Sequence, residues 1–576
     1  MAPSVDGMST PIGSREAENK SARIAPSETS TEVAADTGIV DDTADTKAQD
    51  DNEKTAEDSA EEPAPEYPTG GRLVLITAAV AMAVFLAALD QTIVGTAIPK
   101  ITDEFKGLDK VSWYGTAYFM TAGGFQSSWG KIPKYFWLKG SFLAAMFVFE
   151  LGSLICAVAP NAEAFIAGRA VAGLGCAGLT TGAMTIIAFS VEIKRRPIFM
   201  GIVGSTYGVA AVCGPLIGGA FADRVTWRWC FYINLPIGGL AALVVLLFFR
   251  NPIQAKPLVA SWRVKLANLD LGGAALAMGA IVSLTLALEY GGQSRPWNSS
   301  TVIGLLVGFV AIVAAFAGWQ LWRGDEAMIP PRIIRDRQVW SASAFQFFFG
   351  GSYFISLYYL PIYFQSVHGV SPVASGVRNL PLVIAVTISV LASGIWVSKT
   401  DRTGPVMVVG SALAAVASGL FYTFDVDTST GKWIGYQILA GVAWGGAWQM
   451  ALNTVQVKAE PRDLANVISI NFTSQTFGGA FGLAAAQSAF VNRLIATLAT
   501  TAPGVDANTV ILTGSAQIRS VFPPDQVPGI VLAYMAGLRL TFAIMIGFAG
   551  FSFLLSFLQS WKRLHGPPAA TSSVEA

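Results

Sequence analysis

RLVLITAAVAMAVFLAALDQTIVGTAIP, residues 72–99, is an apolar run long enough to cross a bilayer, and it is interrupted by a single carboxylate, Asp90. A spanning helix needs roughly 20 apolar residues, because lipid offers no water to satisfy loose backbone N–H and C=O groups. Thirteen further runs of this character follow, the last near 539–560. The chain therefore reads as an all-α polytopic membrane protein with fourteen transmembrane helices. An ionisable side chain at membrane depth costs about 2.5 to 3.5 kcal/mol on insertion scales, so Asp90 marks a functional position.

Working outward, the 576 residues are 53% hydrophobic and only 13% charged, outside the range of soluble domains. The net charge of zero hides an asymmetry. Residues 1–71 hold 17 acidic and 5 basic residues, and the remainder 21 acidic and 33 basic. Such a polar, acidic stretch buries too little apolar surface to fold alone, so 1–71 is expected to be a disordered cytosolic tail. It lacks a basic start and an apolar core, and so does not read as a cleavable signal peptide. The four cysteines (Cys156, Cys176, Cys213, Cys230) lie in or beside apolar runs, which argues against a disulfide framework. His368 falls in a short loop and His565 in the C-terminal tail, leaving carboxylates as the only acids at membrane depth.

Lysine and arginine counts set the topology. With both termini cytosolic, the span flanks, loops and C-terminal tail on that side carry 21 of the 38, apart from five in residues 1–71, and the opposite side 9, as expected for an even number of spans. Residues 72–250 then form an N-terminal six-helix bundle. Residues 251–338 hold a linker and an inserted pair, spans seven and eight, and residues 339–561 a second six-helix bundle, followed by a cytosolic tail at 562–576. An external loop at 492–538 contains Pro503, Pro523, Pro524 and Pro528, against one continuous helix there. Asn298-Ser299-Ser300 is a glycosylation sequon on the external side, close to the bilayer.

Asp90 lies about 27 Å from the inner end of its span, while Arg169 lies about 8 Å from the outer end of span four, which runs the other way. The two charges share a depth, and facing one cavity each would offset the other's desolvation. A static ion pair joining the two helices is the plainer alternative. Glu150, mid-way along span three, reads first as a helix-packing partner. Span five, GIVGSTYGVAAVCGPLIGGAFA, sets Gly204, Gly208, Gly214, Gly218 and Gly219 around Pro215, a tightly packed, kinked hinge or seal. In span twelve, Tyr436, Trp444, Trp448, Gln449 and Asn453 recur at helical spacings, with Gln437 and Trp444 on a second near-face. With Gln91 in span one and Gln346 in span nine, these residues suit the walls of a cavity for a bulky, mostly apolar ligand. Interfacial belts and helix packing are the alternative use of such aromatics. No Walker loop, serine elbow or metal-ligand spacing occurs, so no enzyme activity, cofactor, metal or nucleic-acid partner is expected.

These segments resemble the major facilitator superfamily, in particular its fourteen-span drug:proton antiporter branch and the fungal exporters of toxins and secondary metabolites. LDQTIVGTAIP (89–99) is similar to the branch's first-span signature, and GRAVAGLGCAG (168–178) to the span-four motif whose arginine, here Arg169, is tied to proton transfer. GVAAVCGPLIGG (208–219) is similar to the span-five antiporter motif and WRWCFYINLPIGG (227–239) to the segment after it. LPIYFQ, SGVRNLP and WIGYQILAG extend the likeness through spans nine, ten and twelve. Two departures stand out. The loop between spans two and three has Lys134 where the superfamily usually has an acid, although Asp401 and Arg402 keep the pattern in the related loop between spans ten and eleven. Gly95 stands where asparagine is frequent. The resemblance implies two six-helix bundles plus two inserted helices, in a monomer of the plasma membrane, or alternatively the vacuolar membrane. It implies proton-coupled export of a small, largely apolar organic compound, with Asp90 and Arg169 handling the proton. A proton-coupled importer of a nutrient or metal-chelate, and a transport-like receptor, are the alternatives.

Overall fold

The computed structural model describes residues 67–105, 111–457, 459–513, 515, 517–561 and 563. Most of the expected acidic tail, His565 and nearly all of the C-terminal tail lie outside the described residues. The fourteen apolar runs are helical. They are α1 (Gly70–Phe105), α2 (Val111–Tyr135), α3 (Leu138–Val158), α4 (Ala162–Ser190), α5 (Arg196–Arg224), α6 (Asn234–Phe248) and α7 (Leu271–Tyr290). There follow α8 (Ser300–Arg323), α9 (Arg337–Ser366), α10 (Leu380–Thr400), α11 (Gly404–Tyr422), α12 (Thr430–Ala447), α13 (Leu464–Thr501) and α14 (Val527–Ser556). By length and composition, ten helices among the described residues are apolar enough to cross a membrane. The helices at α2, α9, α12 and α13 are not among the ten. All four carry amides, hydroxyls and aromatic rings where the others carry Leu, Val and Ala, which is what helices around a polar interior require.

Two elements run differently from the hydropathy pattern. α13 continues to Thr501 and α14 begins at Val527, so the expected external loop shrinks to 502–526, which holds short helices at Ala507–Thr513 and Ile518–Val521. The span-twelve run is broken by a turn at Trp448 and Gln449 before it resumes as Met450–Val457.

Inside each half, small residues bring backbones together. A Cβ on Gly152 would lie 2.2 Å from Ala172 N, joining α3 to α4, and one on Gly478 would lie 1.8 Å from Phe347 O, joining α13 to α9. Without a hydrophobic drive between helices in lipid, this close approach is the main source of packing energy. At the end of the bundle where α1 starts, Arg72 donates to Phe248 O (2.9 Å), and a Cβ on Gly404 would meet Ser560 O at 2.6 Å. At the opposite end, Glu104 accepts from Trp227 (2.7 Å) and Arg228 (2.8 Å). The Trp227 hydrogen bond and the Arg228 charge hold its carboxyl below the usual range, against some desolvation.

The two halves meet near the termini-bearing end. Ser127 and Thr473 share a hydrogen bond of 2.7 Å, and a Cβ on Gly130 would lie 1.9 Å from Ser469 Oγ, so α2 and α13 touch. α5 and α10 do the same, with Gly394 so close to Pro197 that a Cβ would lie 2.6 Å from its carbonyl oxygen.

Candidate functional site

Asp90 and Arg169 are 0% and 1% exposed, and Arg169 Nη1 donates to Asp90 Oδ2. The guanidinium also donates from Nε to Tyr114 O (3.0 Å) and lies 4.3 Å over the ring of Tyr118. The Tyr118 hydroxyl donates to Ala87 O at 3.1 Å, tying α2 to α1 just below the carboxylate. The second carboxylate oxygen faces Asn234 Nδ2 (3.4 Å), which also donates to Ser153 Oγ (3.0 Å). Helices α1, α2, α3, α4 and α6 thus converge on one carboxylate in the heart of the first half. The depth arithmetic anticipated the pair. Asn234 was missed, although the lone amide in an otherwise apolar span was a visible signal.

One residue on, the chain turns toward the second half. The Tyr207 hydroxyl on α5 donates to Gln91 Oε1, and Gln91 Nε2 lies 3.8 Å from Cys176 Sγ. Tyr207 meets Phe354 of α9 edge-on at 6.4 Å, Phe354 meets Trp448 at 6.3 Å, and Trp448 meets Tyr353 at 4.7 Å. Tyr358, one turn beyond Phe354, is 41% exposed yet within electrostatic reach of Arg169 and Tyr207. An aromatic wall with a phenol and an amide therefore runs across the division between the halves, next to the ion pair. Tyr207, Phe354 and Tyr358 were not singled out by periodicity, because neither helix shows which face its neighbour presents.

The expected cavity set divides. Trp448 joins the wall. Trp444 is fully buried within the second half, where its indole donates to Ser352 Oγ (3.0 Å), and Gln437 is fully buried with its amide donating to Arg378 O (3.0 Å). Gln346 is buried and donates to Gln475 Oε1 (2.8 Å), while its own Oε1 has no partner among the described residues. Gln449 presses on α5, where a Cβ at Gly204 would lie 2.2 Å from its Nε2. Asn453 lies beside Pro197 and Asp401 in a crevice near the termini-bearing end. Trp444 and Trp448 both pack on Tyr353, at 6.0 and 4.7 Å, while Gln449 and Asn453 lie at and beyond the turn at 448–449.

The glycines of span five work as spacers on two sides. A Cβ on Gly214 would lie 2.1 Å from Thr92 Oγ1 of α1, and one on Gly208 would lie 2.8 Å from Thr387 Oγ1 of α10. Thr92 also hydrogen bonds to Ala210 O at 3.2 Å, two residues from Asp90 in sequence. Gly218 accepts at its carbonyl from Cys230 Sγ (3.9 Å), and Gly219 lies near Val373 (3.9 Å). α5 is continuous through Pro215, wedged between the helix of the carboxylate and the second half. Asn298 is exposed in the short 291–299 connection, just before α8. All four cysteines are free thiols.

Lys134, the departure expected in the loop between spans two and three, lies in the last turn of α2 and is answered from across the seam. Asp463, at the start of α13, lies 3.9 Å from Lys134 Nζ and 2.6 Å from Arg332 Nη2. The acid stands in the second half and the bases in the first half and the linker. Asp463 is also what holds Arg332 more firmly protonated than usual, by hydrogen bond and by charge.

The fold and the buried pair define a two-bundle membrane transporter. Residues 80–483 match the Major Facilitator Superfamily, and the chain belongs to that family. It is 56% identical over 512 residues to the MFS-type transporter grgE of a Penicillium species, covering 89% of this chain and 91% of the relative. To the probable efflux pump gsfJ of Penicillium aethiopicum it is 51% identical over 503 residues, covering 87% and 90%. Among solved structures it is similar to the human organic anion transporter MFSD10, with a TM-score of 0.54 at 13% identity, covering 85% of this chain and all of that one. A bacterial homologue of the lysosomal transporter Spinster, inward-facing, matches with a TM-score of 0.52 at 15% identity, covering 87% and all of it. At these identities the two structures speak to the fold alone.

Proposed function

We propose that this transporter exports a small, largely apolar organic compound across the plasma membrane in exchange for protons. The observation that carries the reading is the Asp90–Arg169 pair, nearly unexposed and one residue from a side chain on the aromatic wall. Buried ions persist only when paired, and removing one partner costs about 3–5 kcal/mol. A proton arriving on Asp90 would cancel its charge and release Arg169, so the pair has two states of different geometry. Alternating access needs such a bistable element, biased by proton on one side and cargo on the other. α5, seated against both α1 and α10, would carry the change to the seam. The wall of Tyr207, Phe354, Tyr353 and Trp448 suits aromatic or aliphatic cargo, with Gln91 and Gln346 supplying polar contacts.

Magnitudes are adequate. A pH difference of two units supplies about 2.7 kcal/mol per proton and 100 mV about 2.3, enough for a gradient of several thousand-fold in a neutral compound. Export rather than import is supported by the efflux-pump names among the relatives. An even number of crossings with both ends in the cytosol is supported by the basic-residue counts. The test uses full-length protein in oriented proteoliposomes with a panel of fluorescent hydrophobic dyes. Asp90→Asn should abolish uphill movement while dye binding stays measurable, and full pH-driven transport by that variant would remove Asp90 from the mechanism.

A further inference from the structure

A second acid stands close to the first and takes no part in the pair. Both oxygens of Glu150, mid-way along α3, are buried and have no hydrogen-bond partner among the described residues. Their niche is made by a missing side chain: a Cβ on Gly238 of α6 would lie 1.6 Å from Glu150 Oε1 and 3.4 Å from Leu86 of α1. Glu150 lies three residues before Ser153 on α3, and Gly238 four residues after Asn234 on α6. The acid thus sits one helical turn from the Ser153–Asn234–Asp90 chain of contacts, on the side of the termini-bearing end. Asp90 is within electrostatic reach of it. The other titratable or charged groups within reach of Asp90 are Arg169 and Cys176 on α4, Tyr118 on α2, Cys156 on α3 and Cys230 before α6, and Arg169 is already committed to Asp90.

An ionised carboxylate in that niche would meet Leu86 and glycine backbone with no donor, a cost of several kcal/mol that the neutral acid avoids. The buried cluster around Asp90 then holds two carboxyl groups, one proton and one guanidinium. We infer that Glu150 is a second proton-carrying site which shares one proton with Asp90. With Asp90 ionised and paired to Arg169, the proton stays on Glu150. When it moves, the O–H bond on Glu150 breaks, one forms on Asp90, and the negative charge passes to Glu150, so the net charge of the cluster is unchanged while Asp90 no longer neutralises Arg169 directly. This rests on the reading of Asp90 as the proton site. It adds a station for the proton between Asp90 and the termini-bearing face.

The test needs no cargo. Full-length protein in liposomes at neutral pH is examined by infrared spectroscopy for the C=O stretch of a protonated carboxyl that shifts in heavy water. Wild type should show this band, and Glu150→Gln, which keeps the size and neutrality of the acid, should lose it. Asp90→Asn is the decisive variant. If one charge is shared, removing Asp90's capacity to ionise moves that charge to Glu150, and the band falls by more than half. A band that persists undiminished in Asp90→Asn makes Glu150 a static acid and overturns the proposal, whatever the transport result for Asp90. A band retained in Glu150→Gln overturns it also. Should either variant misfold, wild type treated with dicyclohexylcarbodiimide answers instead. The protonated acid adds to the reagent, its proton goes to a carbodiimide nitrogen, and the adduct rearranges to a stable acylurea. Mass spectrometry should find the label on Glu150, and an unlabelled Glu150 overturns the proposal. Loss of uphill transport in Asp90→Asn bears only on the Asp90 reading.

Discussion

The two halves of this transporter bury different chemistry. The first holds Asp90, Arg169, Glu150 and Asn234 between its helices, whereas in the second half the one buried Asp, Glu, Lys, Arg or His among the described residues is Asp463, at the very start of α13 beside the seam. In their place stand Tyr353, Trp444, Phe421, Phe424 and Tyr363, in ring contacts 4.7 to 6.4 Å apart. Charge in lipid is expensive and needs fixed partners, whereas aromatic contacts are tolerant of shape. On the proposed reading the difference separates two tasks, a proton held by the first half and an adaptable apolar face offered by the second. The pair of α5 and α9, through Tyr207 and Phe354, is where they meet.

The largest effect should come from breaking the charged side. Arg169→Ala leaves Asp90 without the one cation paired with it among the described residues, at a cost of about 3–5 kcal/mol in the ionised state. The variant should lose transport and unfold more easily, measured by a fall in thermal midpoint of purified protein. Arg169→Lys restores charge but neither the Tyr114 carbonyl bond nor the stacking on Tyr118, and should recover stability only in part. A normal midpoint for Arg169→Ala would mean that Asp90 is protonated at rest.

The aromatic side should respond more mildly. Trp448→Ala removes the ring that bridges Tyr353 and Phe354, without emptying a charged site. Loss of one aromatic contact of about 0.5–1.5 kcal/mol weakens dye binding up to roughly tenfold, with uphill transport retained. Complete loss of coupling in this variant would erase the division between the halves.

Sequence carried the fold a long way because hydropathy alone places helices in lipid, and depth along opposed helices paired Asp90 with Arg169. Its limits were matters of rotation and neighbourhood. Trp444 and Trp448 both reach Tyr353 as their spacing suggests, but at and beyond the turn at 448–449 Gln449 meets α5 and Asn453 lies beside Pro197. Gln437 is amphipathic in pattern, yet its amide is used up on the Arg378 carbonyl. The opposite error fell on Glu150. The ordinary expectation of a packing hydrogen bond failed because Gly238, eighty-eight residues away in sequence, shapes a niche with no donor. For Lys134 the missing acid could not be read from its own loop, since Asp463 lies in the other half.

That last contact gives the smallest prediction. Asp463 touches Arg332 at 2.6 Å and Lys134 only at 3.9 Å, and the bases are 54% and 29% exposed. Ion pairs this open to solvent contribute up to about 1 kcal/mol, so Asp463→Asn should speed hydrogen exchange at the ends of α2 and α13 by no more than about fivefold. Lys134→Ala should do less, because the closer Arg332 contact remains. Raising salt should speed exchange in wild type toward the variant's rate and leave the variant nearly unchanged, since exposed charges are screened within about 8 Å at physiological ionic strength. Equal effects of the two substitutions would make Lys134, rather than Arg332, the base that holds the halves together. The halves would then be joined directly, with the linker arginine as a bystander.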